Sequence, residues 1–225
     1  MAVDLTDRER VDPAGVRAHA TIVAEVVAGR TAYTTLRSSP PVALRATPEG
    51  VYLVGTLGGP LGGDELTLDA TVKAGGRLEL RSAAASVVLP GPSGSPSSTS
   101  VTLDLEAGAS LDWRPEPLVL AHRSDHRTRT LIRADERAAV VWREEIVLGR
   151  SGEEPGSLLQ HLRVEVGTRP VLCTEVGLGP RWPGWDGPCG VGGARCLGSL
   201  LVLGPDSSRL RPLPSTADLP PGLRA

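Results

Sequence analysis

The sequence predicts an all-β protein of many short strands. Two observations carry this. Glycine (27) and proline (20) are abundant in the 225 residues, which favours frequent turns over long helices. Period-two alternation recurs, as in Leu66-Thr-Leu-Asp-Ala-Thr-Val72 and Val101-Thr-Leu-Asp-Leu105, the pattern of half-buried strands. A chain of this length fits one large all-β domain. Phenylalanine is absent, so Leu, Val and Ala must fill the core.

Taken in order, residues 1–20 are polar and predicted to be a flexible segment. A single domain is expected over 21–205, and the Pro-rich 206–225 reads as an unstructured tail. Strands are expected at Ala20–Val27, Val51–Val54, Leu66–Val72 and Arg77–Arg81. Between the last two, Lys73-Ala-Gly-Gly76 reads as a hairpin turn. Pro40-Pro41 forbids helix over Tyr33–Pro41. Residues 90–100 (PGPSGSPSSTS) are low in complexity and predicted to be a flexible loop. Further strands are expected at Val101–Leu105, Leu111–Trp113, Leu118–Leu120, Thr128–Ile132, Ala138–Trp142, Leu162–Val166 and Leu200–Leu203. Pro155–Gln160 could hold one short helix.

A weak internal echo aligns Val72-Lys-Ala-Gly-Gly-Arg-Leu78 with Leu105-Glu-Ala-Gly-Ala-Ser-Leu111 and Ile132-Arg-Ala-Asp-Glu-Arg-Ala138. The uneven spacing excludes a repeat of fixed period. It suggests hairpins stacked along one axis, each burying the face its neighbour leaves open; chance similarity of common turn sequences is the rival reading.

Charge and motifs exclude several functions. The net charge of −2 points neither to nucleic acid nor to an anionic membrane. No apolar run spans a bilayer, and the charged N-terminus lacks a signal-peptide core, so a cytoplasmic location is expected. There the three cysteines would remain thiols. Cys173 reads as a small core residue, and Cys189 and Cys196 lack a C-x-x-C partner for a zinc ribbon. His122 and His126 are expected on an arginine-rich surface loop. No G-x-S-x-G elbow is present. Glu144 and Glu145 alternate across a strand, so only one faces inward. The Gly-rich stretch Gly55-Thr-Leu-Gly-Gly-Pro-Leu-Gly-Gly-Asp64 is no phosphate loop, because it has no lysine and no G-x-G-x-x-G register. It reads either as a plain turn or as a backbone that something approaches closely.

Five phrases in order carry a resemblance: Leu36-Arg with Pro40-Pro41; Gly59-Pro-Leu-Gly-Gly-Asp64; Leu80-Arg-Ser-Ala-Ala-Ala85; Gly108-Ala-Ser-Leu-Asp-Trp-Arg-Pro-Glu-Pro117; and Arg143-Glu144 with Leu148-Gly-Arg150 and Gly152-Glu153. Together they resemble the urease accessory protein UreD (UreH) family, in its actinobacterial style, over roughly residues 30–205. The resemblance implies a helicoidal, β-helix-like stack of strands with at most a few short helices. It implies a non-enzymatic maturation factor with UreF, UreG (through UreF) and the urease apoprotein as partners, and neither nucleic acid nor membrane. No permanent cofactor is implied; Ni2+ passes in transit through an internal water-filled tunnel. Carried onto this sequence, Asp64, Glu116 and Glu144 would approach that conduit, with Gly62, Gly63, Ser82, Trp113 and Arg150 as supporting motif positions. A carboxylate suits a carrier, because it holds a divalent ion weakly enough to release it. The sequence departs from the family where Ala85-Ser86-Val87 replaces a Thr-Lys pair, where Arg143 replaces a tryptophan, and where Gly152-Glu153 comes early. Two other readings are a generic β-rich binding scaffold without metal transfer and a carbohydrate-active hydrolase using paired carboxylates.

Overall fold

The computed structural model describes residues 15–204. The predicted N-terminal segment up to residue 14 and the C-terminal tail lie outside the described residues. Fifteen strands form two sheets, with no helix among the described residues. They are β1 (Arg17–Val27), β2 (Arg30–Ser38), β3 (Val42–Thr47), β4 (Gly50–Gly55), β5 (Glu65–Val72), β6 (Arg77–Ser82), β7 (Ser86–Val88) and β8 (Ser97–Leu105). Then follow β9 (Ser110–Arg114), β10 (Leu118–Leu120), β11 (Asp125–Ala134), β12 (Ala139–Leu148), β13 (Ser157–Val166), β14 (Arg169–Leu178) and β15 (Cys196–Leu203).

The chain winds as a β-solenoid. Sheet A stacks β1, β5, β8, β11 and β13 in parallel, with antiparallel β2 and β14 at its edges. Sheet B stacks β4, β6, β9 and β12 in parallel, with antiparallel β3 and β15 at its edges. The short strands β7 and β10 continue sheet B in parallel with the end of β12. Alternation puts one residue in two between the sheets. Register then lines up Ile22, Ala70, Leu103, Ile132, Val164 and Leu172 as one apolar row. Burying each large aliphatic side chain in such a row contributes roughly 1.5–3 kcal/mol.

Several sequence expectations are corrected. Lys73–Gly76 is no hairpin: β5 belongs to sheet A and β6 to sheet B, so the turn carries the chain across the core. These corners stack from coil to coil. Glu106 N–H donates to the Val72 carbonyl, Asp135 N–H to Leu105, and Ala139 N–H to Ala109, each at 2.9 Å. Glu106 also accepts from Lys73 Nζ at 2.8 Å and from the Ala74 N–H at 3.0 Å. The third echo is shifted by two residues. Leu105 pairs with Ala134, not Ile132, so the equivalent corners are Val72–Gly76, Leu105–Ala109 and Ala134–Ala138. Ser157–Gln160 begins β13 instead of a helix, and Ser97–Ser100 open β8. Arg17–Ala20 belong to β1, and Asp125–Arg127 open β11 instead of lying in a loop. His126 is buried, and Cys173 is exposed on β14.

The Gly-rich stretch links β4 to β5, and something does approach it closely. The predicted loop after β7 lies against it: Leu61 and Leu89 form a parallel bridge, Gly62 N–H donates to Leu89, and Gly63 N–H to the Pro96 carbonyl. A Cβ on Gly62 would stand 2.6 Å from both the Gly91 nitrogen and the Ser95 oxygen. Both neighbours are backbone, so glycine is required by space.

Candidate functional site

The core falls into two apolar clusters with a polar band between them. On β12, Trp142 belongs to the larger cluster and Ile146 to the smaller, and Glu144 stands between them on the same face. On β13, Leu158 belongs to the smaller cluster, Leu162 packs on the larger, and Gln160 lies between. Register extends the band across sheet A, because Gln160 pairs with Thr128 and Thr128 with Thr99. One inward step along the strands lies a second polar row. Ser97 and His126 are register partners, and Ser97 Oγ meets His126 Nδ1 at 2.8 Å. Glu65 pairs with Ser98, which places Asp64 beside Ser97.

Sheet B is interrupted at this level. The break between β6 and β7 holds Ala83–Ala85, and the break between β9 and β10 holds Pro115–Pro117. The Leu80–Ala85 and Trp113–Pro117 phrases therefore fall beside Glu144 within sheet B, in adjacent coils. Glu116 N–H donates to Ser82 Oγ at 2.8 Å, and Ser82 Oγ donates to the Ala84 carbonyl at 3.1 Å. The Glu116 side chain is exposed. The structure thus brings Ser82, Glu116 and Glu144 to one level, with the Ser82 hydroxyl engaged by backbone and the Glu116 side chain turned to solvent.

Glu144 carries the distinctive electrostatics. Gln160 Nε2 donates to its Oε2 at 2.7 Å. Burial pushes its carboxyl up to about 7, with the Trp142 indole and the Gln160 amide favouring the anion and opposing that rise. The Trp142 Nε1 still makes no hydrogen bond of good geometry, so it lies near the carboxylate without being satisfied by it. Trp113 stacks on Trp142 with centroids 4.5 Å apart and planes 6° from parallel. Trp113 Nε1 and Thr128 Oγ1 are likewise buried without a partner. Buried polar atoms ordinarily find partners; these three lie unpartnered at the level of the band.

Asp64 is differently employed. It is 5% exposed; Oδ1 accepts from Val16 N–H at 2.9 Å and Oδ2 from Leu61 N–H at 2.8 Å. Both oxygens hold the entry to β1 and the Gly-rich turn. Arg150 grips Glu153 through two bonds of 2.8 and 2.7 Å, and this hydrogen bonding pulls the Glu153 carboxyl down to about 2. That pair closes the turn after β12. Arg143, on the outer face, pairs with Glu145. Gln160, Thr128 and Thr99 escaped the sequence reading. Their signal was polar residues at inward positions of apolar strands, visible only once the strand register is known. Among the described residues, no three His, Cys, Asp or Glu side chains converge to hold a metal ion.

Fold and band together define the class: an all-β solenoid whose apolar interior is crossed by a polar band. The chain belongs to the UreD family, and its role lies in urease maturation. The family model, described as UreD urease accessory protein, matches residues 16–221. A urease accessory protein UreD of Streptomyces avermitilis is 46% identical over 203 residues, covering 87% of this chain and 81% of that relative. One from Frankia alni is 40% identical, covering 88% and 80%. One from Parafrankia sp. (strain EAN1pec) is 43% identical, covering 84% and 73%. No helix among the described residues is long and apolar enough to cross a membrane.

Proposed function

We propose that this chain is a non-catalytic cytoplasmic maturation factor that holds UreF, and through it UreG, on apo-urease and passes nickel to the urease active site through its interior. The observation that carries this reading is the polar band ending on Glu144. Nickel is cargo here, so a weak donor set is appropriate. A single inward carboxylate flanked by an amide and a hydroxyl group exchanges a divalent ion readily, whereas a cage of imidazoles and thiolates would retain it. Glu144, poised near neutrality, gives up its proton as the ion arrives and regains it as the ion leaves. Asp64, with both oxygens committed to backbone donors, supports the conduit by shaping it.

The test is co-expression of a urease operon with the wild-type chain, its deletion, Glu144→Ala or Asp64→Asn, reading nickel per purified urease active site. Low nickel on deletion and with Glu144→Ala, with the accessory complex still assembled, is expected. Normal nickel with Glu144→Ala would remove the interior route while keeping the maturation role. Normal nickel on deletion would end both.

A further inference from the structure

A strand at a sheet edge offers a row of unpaired N–H and C=O groups, and folded proteins blunt such edges with charges, proline, bulges or short length. The other edges of this fold are blunted. β2 carries Arg30 and Arg37, and its pairing with β1 is bulged between Val23 and Ala24. β14 carries Arg169, Pro170 and Glu175, and its pairing with β13 is bulged between Val164 and Glu165. β3 has Arg45 within its 6 residues, and β7 is 3 residues long. β15 has none of these devices. Its 8 residues, Cys196-Leu-Gly-Ser-Leu-Leu-Val-Leu203, hold no charge and no proline, and its pairing with β12 runs without a bulge.

The free side of β15 is defined by its hydrogen bonding. Leu148 N–H donates to the Arg195 carbonyl at 2.9 Å. Antiparallel alternation then turns the backbone groups of Leu197, Ser199, Leu201 and Leu203 toward β12, and those of Cys196, Gly198, Leu200 and Val202 away from it. These last four are all exposed, and no turn or loop backbone among the described residues bonds to them. Leu197, Leu201 and Leu203 pack inward. Ser199 stands among them on the same face, directly across from Glu144. The stretch that follows, 205–225, is ill suited to cover this edge. It holds five prolines, and its longest proline-free run is the six residues 206–211; proline has no N–H to give to a ladder.

We propose that β15 pairs antiparallel with β15 of a second copy of this chain, about a two-fold axis at Ser199, joining the two B sheets edge to edge. Self-pairing fixes the register. Residues whose backbone groups face the edge must meet one another, and an axis at Ser199 engages all four: Cys196 meets the partner's Val202, and Gly198 meets the partner's Leu200. An axis at Leu200 would leave Cys196 unpaired. On the inner face Leu197 meets the partner's Leu201, and the polar Ser199 meets its own counterpart, so the strand is its own complement. Four N–H donors from each side give about eight hydrogen bonds, within the range of a stable interface. No charge opposes the approach, because Arg143 and Glu145, across from Leu200 and Gly198 on β12, pair with each other. Such an interface closes at two copies and so removes the edge. The inference concerns assembly and is independent of nickel passage.

The full chain, kept reduced, is followed by sedimentation equilibrium over a range of concentrations. A monomer–dimer equilibrium is expected. Leu200→Lys puts a charge on the edge, where lysine blocks pairing, and should raise the dimer dissociation constant about tenfold or more. Leu57→Lys, at a residue 63% exposed in the Gly-rich stretch, should leave it unchanged; far-UV dichroism confirms folding of both. Register is read by cross-linking. The two Ser199 positions face each other as a non-hydrogen-bonded pair with Cα atoms about 4.5 Å apart, within disulfide reach. In a chain with Cys173, Cys189 and Cys196 changed to serine, Ser199→Cys should give a disulfide-linked dimer on mild oxidation. With Cys196 as the only cysteine no link should form, because it lies roughly 20 Å from its counterpart. A monomer at every concentration, a dimer indifferent to Leu200→Lys, or a link through Cys196 in preference to the Ser199→Cys variant would each overturn the pairing. A monomer whose Leu200 amide is protected from hydrogen exchange would overturn it by assigning the edge to another segment of the same chain.

Discussion

Gln160 of sheet A donates a 2.7 Å hydrogen bond to Glu144 of sheet B, joining the two sheets through the polar band that separates the apolar clusters. The amide favours the carboxylate, but burial outweighs it and raises the carboxyl to about 7. A leucine at position 160 would extend the apolar clusters across the gap and leave Glu144 without its donor.

Glu144 makes stability depend on pH in a defined direction. Its folded pKa, about 7, is raised from 4.5. The fold therefore favours the neutral acid, and that contribution is fully present below about pH 4.5 and lost as pH rises through about 7. Glu144→Gln removes the loss. The variant should gain on the wild type between pH 4.5 and 8, by at most about 3 kcal/mol, since Glu144 is only half-buried. Urea denaturation at both ends of that range measures the difference; a gap that does not change with pH would contradict the assignment.

His126 acts with the opposite sign. Burial lowers its pKa from 6.5 to about 4. The neutral imidazole, bonded to Ser97, stabilises the fold above about pH 6.5, and this is lost as pH falls through about 4. His126→Gln should flatten the acid limb of the stability profile. The Glu144 contribution opposes it between about pH 4.5 and 6.5, so each is read as a difference between variant and wild type. An imidazole signal from His126 that titrates near its ordinary value would refute the buried neutral state.

Asp64→Ala should destabilise the protein by about 1–3 kcal/mol, because two backbone donors lose their acceptor. Asp64→Asn keeps one carbonyl oxygen and should cost less. The readout is the urea midpoint at neutral pH. Unchanged stability with Asp64→Ala would mean that the carboxylate is free for another use.

Gly62→Ala forces apart the two stacked loops, because the new Cβ would lie 2.6 Å from backbone atoms of Gly91 and Ser95. A loss of about 1–3 kcal/mol is expected for such overpacking. Gly58→Ala, with nothing within 4 Å of its Cβ, is the matched control and should be nearly silent.

Strand identity was legible in the sequence because period-two alternation is local. Leu66–Val72, Val101–Leu105 and Leu118–Leu120 are strands as read. Strands framed by polar residues were harder. Ser97–Ser100 look like linker, and Asp125–Arg127 look like a charged loop, because sheet A exposes its outer face to water. Cys173 was misread for a related reason: it lies on a strand, but on the outward face of an edge.

By itself the sequence determined the all-β class and the family, each written in short contiguous phrases. Only the tertiary structure decided which sheet each strand joins, and so what meets in the interior. Alternation says that a side chain faces in or out; it does not name the neighbour, which is supplied by a coil some 33 residues away at Val72 and Leu105 and 29 at Leu105 and Ala134. The Gly-rich turn, the commitment of both Asp64 oxygens and the meeting of Glu144 with Gln160 all depend on that register. Hydrogen bonding between adjacent coils sets that register.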